Sequence, residues 1–544
     1  MSLKPDPIPP IPQETAALVQ RMLPRGTTVT RLDDILAELS TDEAFVDLYA
    51  TVGQPGWSAW RLAVLLLLQA REGLTDRQTM EAAASRIDWR YVLRLAPEES
   101  VPGHTILSEF RTRLVTGSAE QRLLDFLLAA CQRAGWTPAP GRQRIDATHV
   151  LAASRQFSRL ELVGTCLQQG LDLLAQMDPD WLRATVPADW LLRYGRRIED
   201  SRLPTQASAR QQWAEQVGRD GVWLLAHLPD AWRELPAFRR LQQVWEQQYV
   251  LDPDQPPRWR SSEQLPATPQ YICSVTDPDA RYGHKRQTQW VGYKVDLTEV
   301  CGTDGPHLIT AVQVRPACED DSRVLPTVYA QTQQRGVSPG ELLADMGYVD
   351  SQSLLDAEQQ GVELLGPVQG NGHWQSQQQT GYALEDFVLD WEQQQARCPQ
   401  GQTSTRWRTE TDARGQPRIR VEFAQAQCQA CPARSRCTRS ERRILAVRPQ
   451  AQHAALQAAR QRQQTEAFTT TYRQRAGIEA TMGQTTGRFG LRQARYVGRP
   501  KTELQAVLVA GAVNLERLDQ WRQTGRAASA HAPSPFVRTM RAVA

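Results

Sequence analysis

The sequence predicts a mixed α/β protein with a helical N-terminal domain, a helical insert and a small cysteine-bearing insert. Three observations predict it. Apolar residues recur at helical spacing between residues 27 and 135, as in "HTILSEFRTRLV", where Ile106, Phe110 and Leu114 fall at steps of four. Two runs rich in β-branched residues, "WVGYKVDLTEV" and "HLITAVQVRP", flank the turn signal "CGTDG", and a helix and another strand follow. Four of the nine cysteines fall between positions 398 and 437.

Taken in order, residues 1–26 form a proline-rich lead. The helical region 27–135 offers a capping box in "LTDRQTMEAAAS", with Thr75 as cap and Gln78 three residues on. It reads equally as a bundle packing its own core and as a DNA-binding module. Pro138, Pro140 and Gly141 then break the helices, and "RIDATHV" within 136–154 alternates like a strand. Residues 155–265 read as a helical insert holding seven of the sixteen tryptophans, Trp181 to Trp259, best suited to core filling. The sheet resumes over 266–350, where "SRVLPTVYAQTQQRG" reads as a helix and "ELLADMGYV" as a buried strand. A glutamine-rich insert with the cysteines covers 351–445. Helices over 446–523 complete the core, and 524–544 form a weak tail.

Composition narrows the class. The chain has 544 residues, 41% hydrophobic and 23% charged, with a net charge of +3. Its four lysines (Lys4, Lys285, Lys294, Lys501) stand against 59 arginines. No secretory signal is visible, and the longest apolar runs, Leu62 to Leu68 and Ala506 to Val513, fall short of the roughly 20 residues of a membrane span. A cytoplasmic protein is expected. In that compartment cysteines serve as thiols or metal ligands more often than as disulfides.

The four clustered cysteines are spaced C-P-x-G, 29 residues, C-x2-C, five residues, C. Tetrahedral thiolate ligation of structural zinc by Cys398, Cys428, Cys431 and Cys437 is the preferred reading; free thiols, or an oxidised Cys428–Cys431 pair, are the alternative. Three carboxylates stand out separately. Asp146 sits mid-strand among apolar neighbours, and Asp345 ends another strand. Glu479 lies on a helix whose spacing puts Tyr472, Arg475 and Glu479 on one face. Such acids are costly unless they face a cleft or a metal. Three of them could hold two divalent ions about 4 Å apart, an arrangement that activates a hydroxyl and steadies a leaving phosphodiester oxygen. Between 471 and 496 Glu479 is the single acid among Arg473, Arg475, Arg488, Arg492 and Arg495, which suits a carboxylate facing a DNA backbone.

Over about residues 45 to 520 the chain resembles bacterial insertion-sequence DDE transposases with a ribonuclease-H-like core. "WRLAVLLLLQAREGLTDRQTMEAAASRIDWRYVLRL" resembles their helical N-terminal region, "RIDATHV" the first-aspartate strand and "DPDARYGHK…GYKVDLTE" the strands that follow. "DMGYVD" resembles the second-aspartate motif, and "YRQRAGIEATMGQTTGRFGLRQARY" the helix with the Y-x2-R-x3-E signature. "CPQG…CQACPARSRCT" fits the branch with a cysteine-bearing segment before the glutamate. The resemblance implies Asp146, Asp345 and Glu479 as the catalytic triad, binding Mg2+ or Mn2+, with Tyr472 and Arg475 beside it contacting phosphate. It departs at Thr486, where many relatives carry a lysine. Arg488, Arg492, Arg495, Lys285, Lys294 and Lys501 are expected to contact DNA backbone. Asp320 and Asp321 are read as caps of the helix after them, and His149 as facing away from Asp146. The implied function is metal-dependent cleavage at terminal inverted repeats and strand transfer into target DNA. The double-stranded DNA partner would be bound by a homodimer or larger assembly. The alternatives are an inactive DNA-binding protein of the same fold, a nuclease without strand transfer, and a zinc-stabilised scaffold.

Overall fold

The computed structural model describes residues 2–525, apart from 6–7, 39–41, 138–139, 155–156, 303–304, 371–373, 378–380 and 413–414. Most of the expected tail, 526–544, lies outside the described residues.

At the centre is a six-stranded mixed sheet. Its middle strand, Gly141–Leu151, is antiparallel to Thr288–Val300 on one side and parallel to Pro339–Leu343 on the other. Beyond these lie Ile309–Pro316 and Arg281–Lys285, both paired with Thr288–Val300, and Glu363–Leu365, parallel to Pro339–Leu343. Taking Gly141–Leu151, Thr288–Val300, Ile309–Pro316, Pro339–Leu343 and Glu363–Leu365 as one to five, the order across the sheet is 3-2-1-4-5. The crossovers to the two parallel strands carry the helices Leu325–Gln334 and Ser351–Gln359, as a parallel pair requires.

Both sheet faces are covered, so buried residues point to both sides of the central strands. One face packs Ile145, Leu342 and Ala344 against Val328, Tyr329 and Ala357. The other joins a large core holding Leu62 to Leu68 of the helix Ala59–Glu72, Leu123 to Leu128 of Arg122–Arg133, and Leu504 to Leu518 of the last helix, Arg499–Thr524. Residues on either side of position 135 thus share one core. The expected capping box is present: the Thr75 hydroxyl accepts from Gln78 N–H at 3.3 Å, and Gln78 accepts from Thr75 N–H at 3.0 Å.

The insert after the first strand has its own core, in which Trp190, Trp245, Tyr249 and Phe238 pack with leucines. Its helices include Arg159–Met177, Ala207–His227 and Pro236–Gln248, and a short hairpin, Tyr249–Asp252 with Gln255–Trp259, ends it. The cysteine-bearing insert is built on three antiparallel strands, Arg406–Thr411, Pro417–Glu422 and Ile444–Val447, around Phe387, Val421, Phe423 and Leu445. Among the described residues no helix is long and apolar enough to cross a membrane.

Candidate active site

Strand register brings the two aspartates together. Arg144 on the central strand is level with Leu343 on its parallel neighbour. Asp146 and Asp345 each stand two residues beyond that pair, so they emerge side by side where neighbouring strands are about 4.8 Å apart. Side chains alternate along a strand, so Arg144 and Asp146 share the face that meets the third element. That element is a short 3-10 turn, Arg473–Gly477, running into the helix Ile478–Gly483 with Glu479 in its first turn.

The three carboxylates converge on one guanidinium. Arg475 donates to Asp146 at 2.8 Å and lies 3.9 Å from Asp345 and 3.8 Å from Glu479. Asp146 is mostly buried, and burial raises its pKa; Arg475 opposes the rise and Asp345 adds to it. The Asp146 carboxylate also accepts from the Ala147 N–H at 2.8 Å, and Asp345 from the Gly347 N–H at 2.9 Å. Glu479 is the open member, its side chain 72% exposed on a cleft of about 1010 Å3 that Arg144, Gly477 and Arg488 also line. Tyr472 stacks on Phe468 at 5.4 Å and is near enough to the triad for Arg475, Asp345 and Asp146 all to bias its phenol, whose pKa burial raises.

Two buried charge networks fix these elements, and neither was singled out from sequence. Under the glutamate helix, Glu299 accepts from Arg144 at 2.7 Å, Arg517 at 2.7 Å and the Thr481 hydroxyl at 2.6 Å. Arg144 also donates to the Gln474 carbonyl at 2.7 Å. Under the Asp345 turn, Asp296 accepts from Arg315 at 2.7 Å and from the Tyr348 hydroxyl at 2.5 Å. Arg315 extends this network to Asp321, which also takes Lys294 at 2.8 Å. Acids on opposite faces of one strand, Asp296 and Glu299 in "KVDLTEV", were the signal available.

The remaining site residues are dispersed. Asp321 joins these ion pairs instead of capping a helix, and Asp320 makes no side-chain cap hydrogen bond. Lys285 is exposed at the hairpin end, close enough to favour ionised Asp146. Arg492 donates to the Thr148 hydroxyl and the His149 carbonyl, each at 3.0 Å, which ties it to the central strand. Arg488 pairs with Glu516 of the last helix. Arg495 and Lys501 are exposed. Thr486 lies in a π-helical turn, Gln484–Arg488, and its hydroxyl donates to the Met482 carbonyl at 2.6 Å. Such turns recur at functional sites.

The four cysteines come together, lining one cavity of about 30 Å3. Burial pushes the Cys437 thiol up to about 11. Among the described residues, however, no group of three or more histidine, cysteine or acidic side chains is placed to hold a metal ion, so the structure does not support structural zinc. The strands and apolar residues around the cysteines already give this insert a core.

Residues 397–519 match the family model described as a transposase DDE domain, and residues 18–113 match the one described as a transposase domain (DUF772). Both family models describe transposase domains. Together they are consistent with an insertion-sequence DDE transposase. The DDE match contains Glu479, Arg475 and all four clustered cysteines, Cys398, Cys428, Cys431 and Cys437, while Asp146 and Asp345 precede it. The second match covers Ala59–Glu72, one of the helices that share a core with the last helix. No curated protein and no solved structure matches the chain.

Gly477, inside the DDE-domain match, carries a testable constraint. A Cβ there would come within 2.6 Å of Arg144 Cζ, whose guanidinium Glu299 and Gln474 hold in place. Gly477→Ala is expected to cost about 1–3 kcal/mol, as overpacking does. A melting temperature equal to the native protein's would show that Arg144 moves aside freely.

Proposed function

We propose that the chain cuts DNA at the terminal inverted repeats of its element by metal-dependent phosphodiester hydrolysis. It then joins the exposed 3′ hydroxyl to target DNA. The observation that carries this reading is the convergence of Asp146, Asp345 and Glu479, from three separate elements, within 4 Å of the Arg475 guanidinium. Three antiparallel strands continued by two parallel ones support a ribonuclease-H-like reading of the core.

The donor set suits a hard divalent cation, since all three groups offer carboxylate oxygens. Arg475 stands where positive charge is required, and in this arrangement the carboxylates are not closed to metal-ligating spacing. Asp146, Asp345 and Glu479 would hold Mg2+ or Mn2+, which supplies an activated water or hydroxyl and steadies the leaving oxygen. The protein's own part is positional. The parallel strands set the two aspartates level, the Glu299 network seats the glutamate helix, and Arg475 balances the acids until a phosphate meets its guanidinium. Cleavage and joining attack the same kind of bond, so one set of carboxylates serves both.

The test is incubation of the full chain with DNA carrying the element's own ends, with Mg2+, with Mn2+ and with chelator. Cutting at the repeat boundary that chelator abolishes is expected. Binding without cutting under any ion would move the inactive DNA-binding reading to first place. A pre-cleaved end that is never joined to target would favour the nuclease without strand transfer.

A further inference from the structure

Outside the triad, positive charge gathers in the cysteine-bearing insert. Residues 388–448 hold twelve arginines against six acids, whereas the whole chain carries a net charge of only +3. Four of these arginines face one cleft of about 800 Å3 between the insert and the catalytic sheet. Arg439, Arg442, Arg448 and Arg460 line it, together with Trp374. Arg439 is exposed and lies over the Trp374 ring at 4.7 Å. Arg442 shares a single buried carboxylate, Glu422, with Arg408 and Arg420, at 3.2, 2.9 and 2.8 Å. One acid among three guanidiniums leaves a surplus of positive charge beside the cleft, while Arg448 pairs with Asp412 at 3.0 Å and Arg460 with Glu385 at 3.7 Å.

The cleft's position points to its occupant. Its floor includes Val349, Asp350 and Ser351, which directly follow the turn carrying Asp345. A nucleic-acid strand whose scissile phosphate lies at the carboxylates therefore needs only to continue past that turn to enter it. Planar guanidiniums that can donate two bonds to one phosphate suit a polyanionic backbone. An acidic protein segment would meet the same charge, but nothing would carry it on from the triad.

We propose that this arginine-lined cleft holds the phosphate backbone of the DNA duplex flanking the cleavage point. The inference rests on the transposase reading for the identity of its ligand, and its test is independent of catalysis. A fluorescent duplex is titrated with the full chain in chelator, across a salt series, so that no cutting occurs. Each lost phosphate contact lowers the slope of log affinity against log salt by about 0.9. The R439A/R442A/R448A variant is expected to lower that slope by about 2–3 and to weaken binding at low salt by about tenfold or more. The R439K/R442K/R448K variant, which keeps the charges, is expected to retain most of the slope. A comparison variant, R183A/R197A/R202A, removes three exposed arginines from the helical insert and is expected to leave the slope near native.

An unchanged slope in the first variant overturns the proposal. So does an equal loss in the lysine variant, which would trace the effect to packing, or in the comparison variant, which would trace it to overall charge. Failure of the cleavage reading would show differently, as native protein that keeps the full slope in chelator and cuts under no ion.

Discussion

Glu479→Gln is expected to lower metal-dependent cleavage about 10³-fold or more, equivalent to about 4 kcal/mol of transition-state stabilisation, while DNA binding stays within a few-fold of native. The structure makes this substitution cleaner than its equivalents at the other two acids. The Glu479 side chain is 72% exposed, and its closest charged neighbour is Arg475 at 3.8 Å. Exchanging its carboxylate for an amide removes charge and a ligand oxygen, with almost no cost to the fold. Asp146, by contrast, is 14% exposed and bonded to both Arg475 and a backbone N–H, so its substitution disturbs packing as well. Single-turnover cleavage of end-bearing DNA, with binding followed separately, decides the matter. Equal cutting by both proteins would reduce Glu479 to an ordinary helix residue and remove the third ligand.

Glu299→Ala is expected to destabilise the protein by about 3–5 kcal/mol, because removing one member of a buried ion network leaves the others uncompensated. Here the orphans would be two guanidiniums, Arg144 and Arg517, each about 8% exposed, and the Thr481 hydroxyl. The loss reaches function, since Thr481 is on the helix that presents Glu479 and Arg144 anchors the turn before it. Denaturant unfolding of native and variant protein measures the difference. A change under about 1 kcal/mol, the scale of an exposed pair, would mean that water replaces the carboxylate.

The same network predicts a pH effect. Burial alone would raise the Glu299 pKa, but Arg517 and Arg144 outweigh it and leave the carboxyl below its ordinary value. A folded pKa below the unfolded one stabilises the native state above the usual glutamate range, about 4.3, and that stability is lost as pH falls through the folded value. Glu299→Gln should therefore flatten the acid limb of the stability profile. Asp296 has the opposite sign, because burial dominates and its carboxyl is raised.

Much of the site was legible because its members are sparse, charged and set in strongly patterned surroundings. Asp146 interrupts an apolar strand and Asp345 ends one, and the helical spacing of Tyr472, Arg475 and Glu479 survives although part of it is a 3-10 turn. Arg475 was expected to meet phosphate; its place among all three acids depends on strand register, which no local pattern encodes. The supporting networks were hidden for the same reason. Glu299 finds its partners at positions 144, 481 and 517, and Lys294 finds Asp321 in the turn after the neighbouring strand. The cysteines converged as their spacing suggested, but the core around them comes from β-strands whose alternation is weak in so polar a sequence.

The long last helix has a further consequence, for the order of events during synthesis. Asn514 exchanges two hydrogen bonds with Ile309, at 2.8 and 2.9 Å, while Asp519 holds Arg31 and Arg522 holds Asp34. Arg31 and Asp34 thus wait for Asp519 and Arg522, and contacts this distant in sequence form slowly. A nascent chain lacking this helix exposes the leucines of Ala59–Glu72 that it later covers, the kind of surface that invites chaperones or aggregation. A chain interrupted before this helix therefore cannot close the core that the leucines of Ala59–Glu72 share with it.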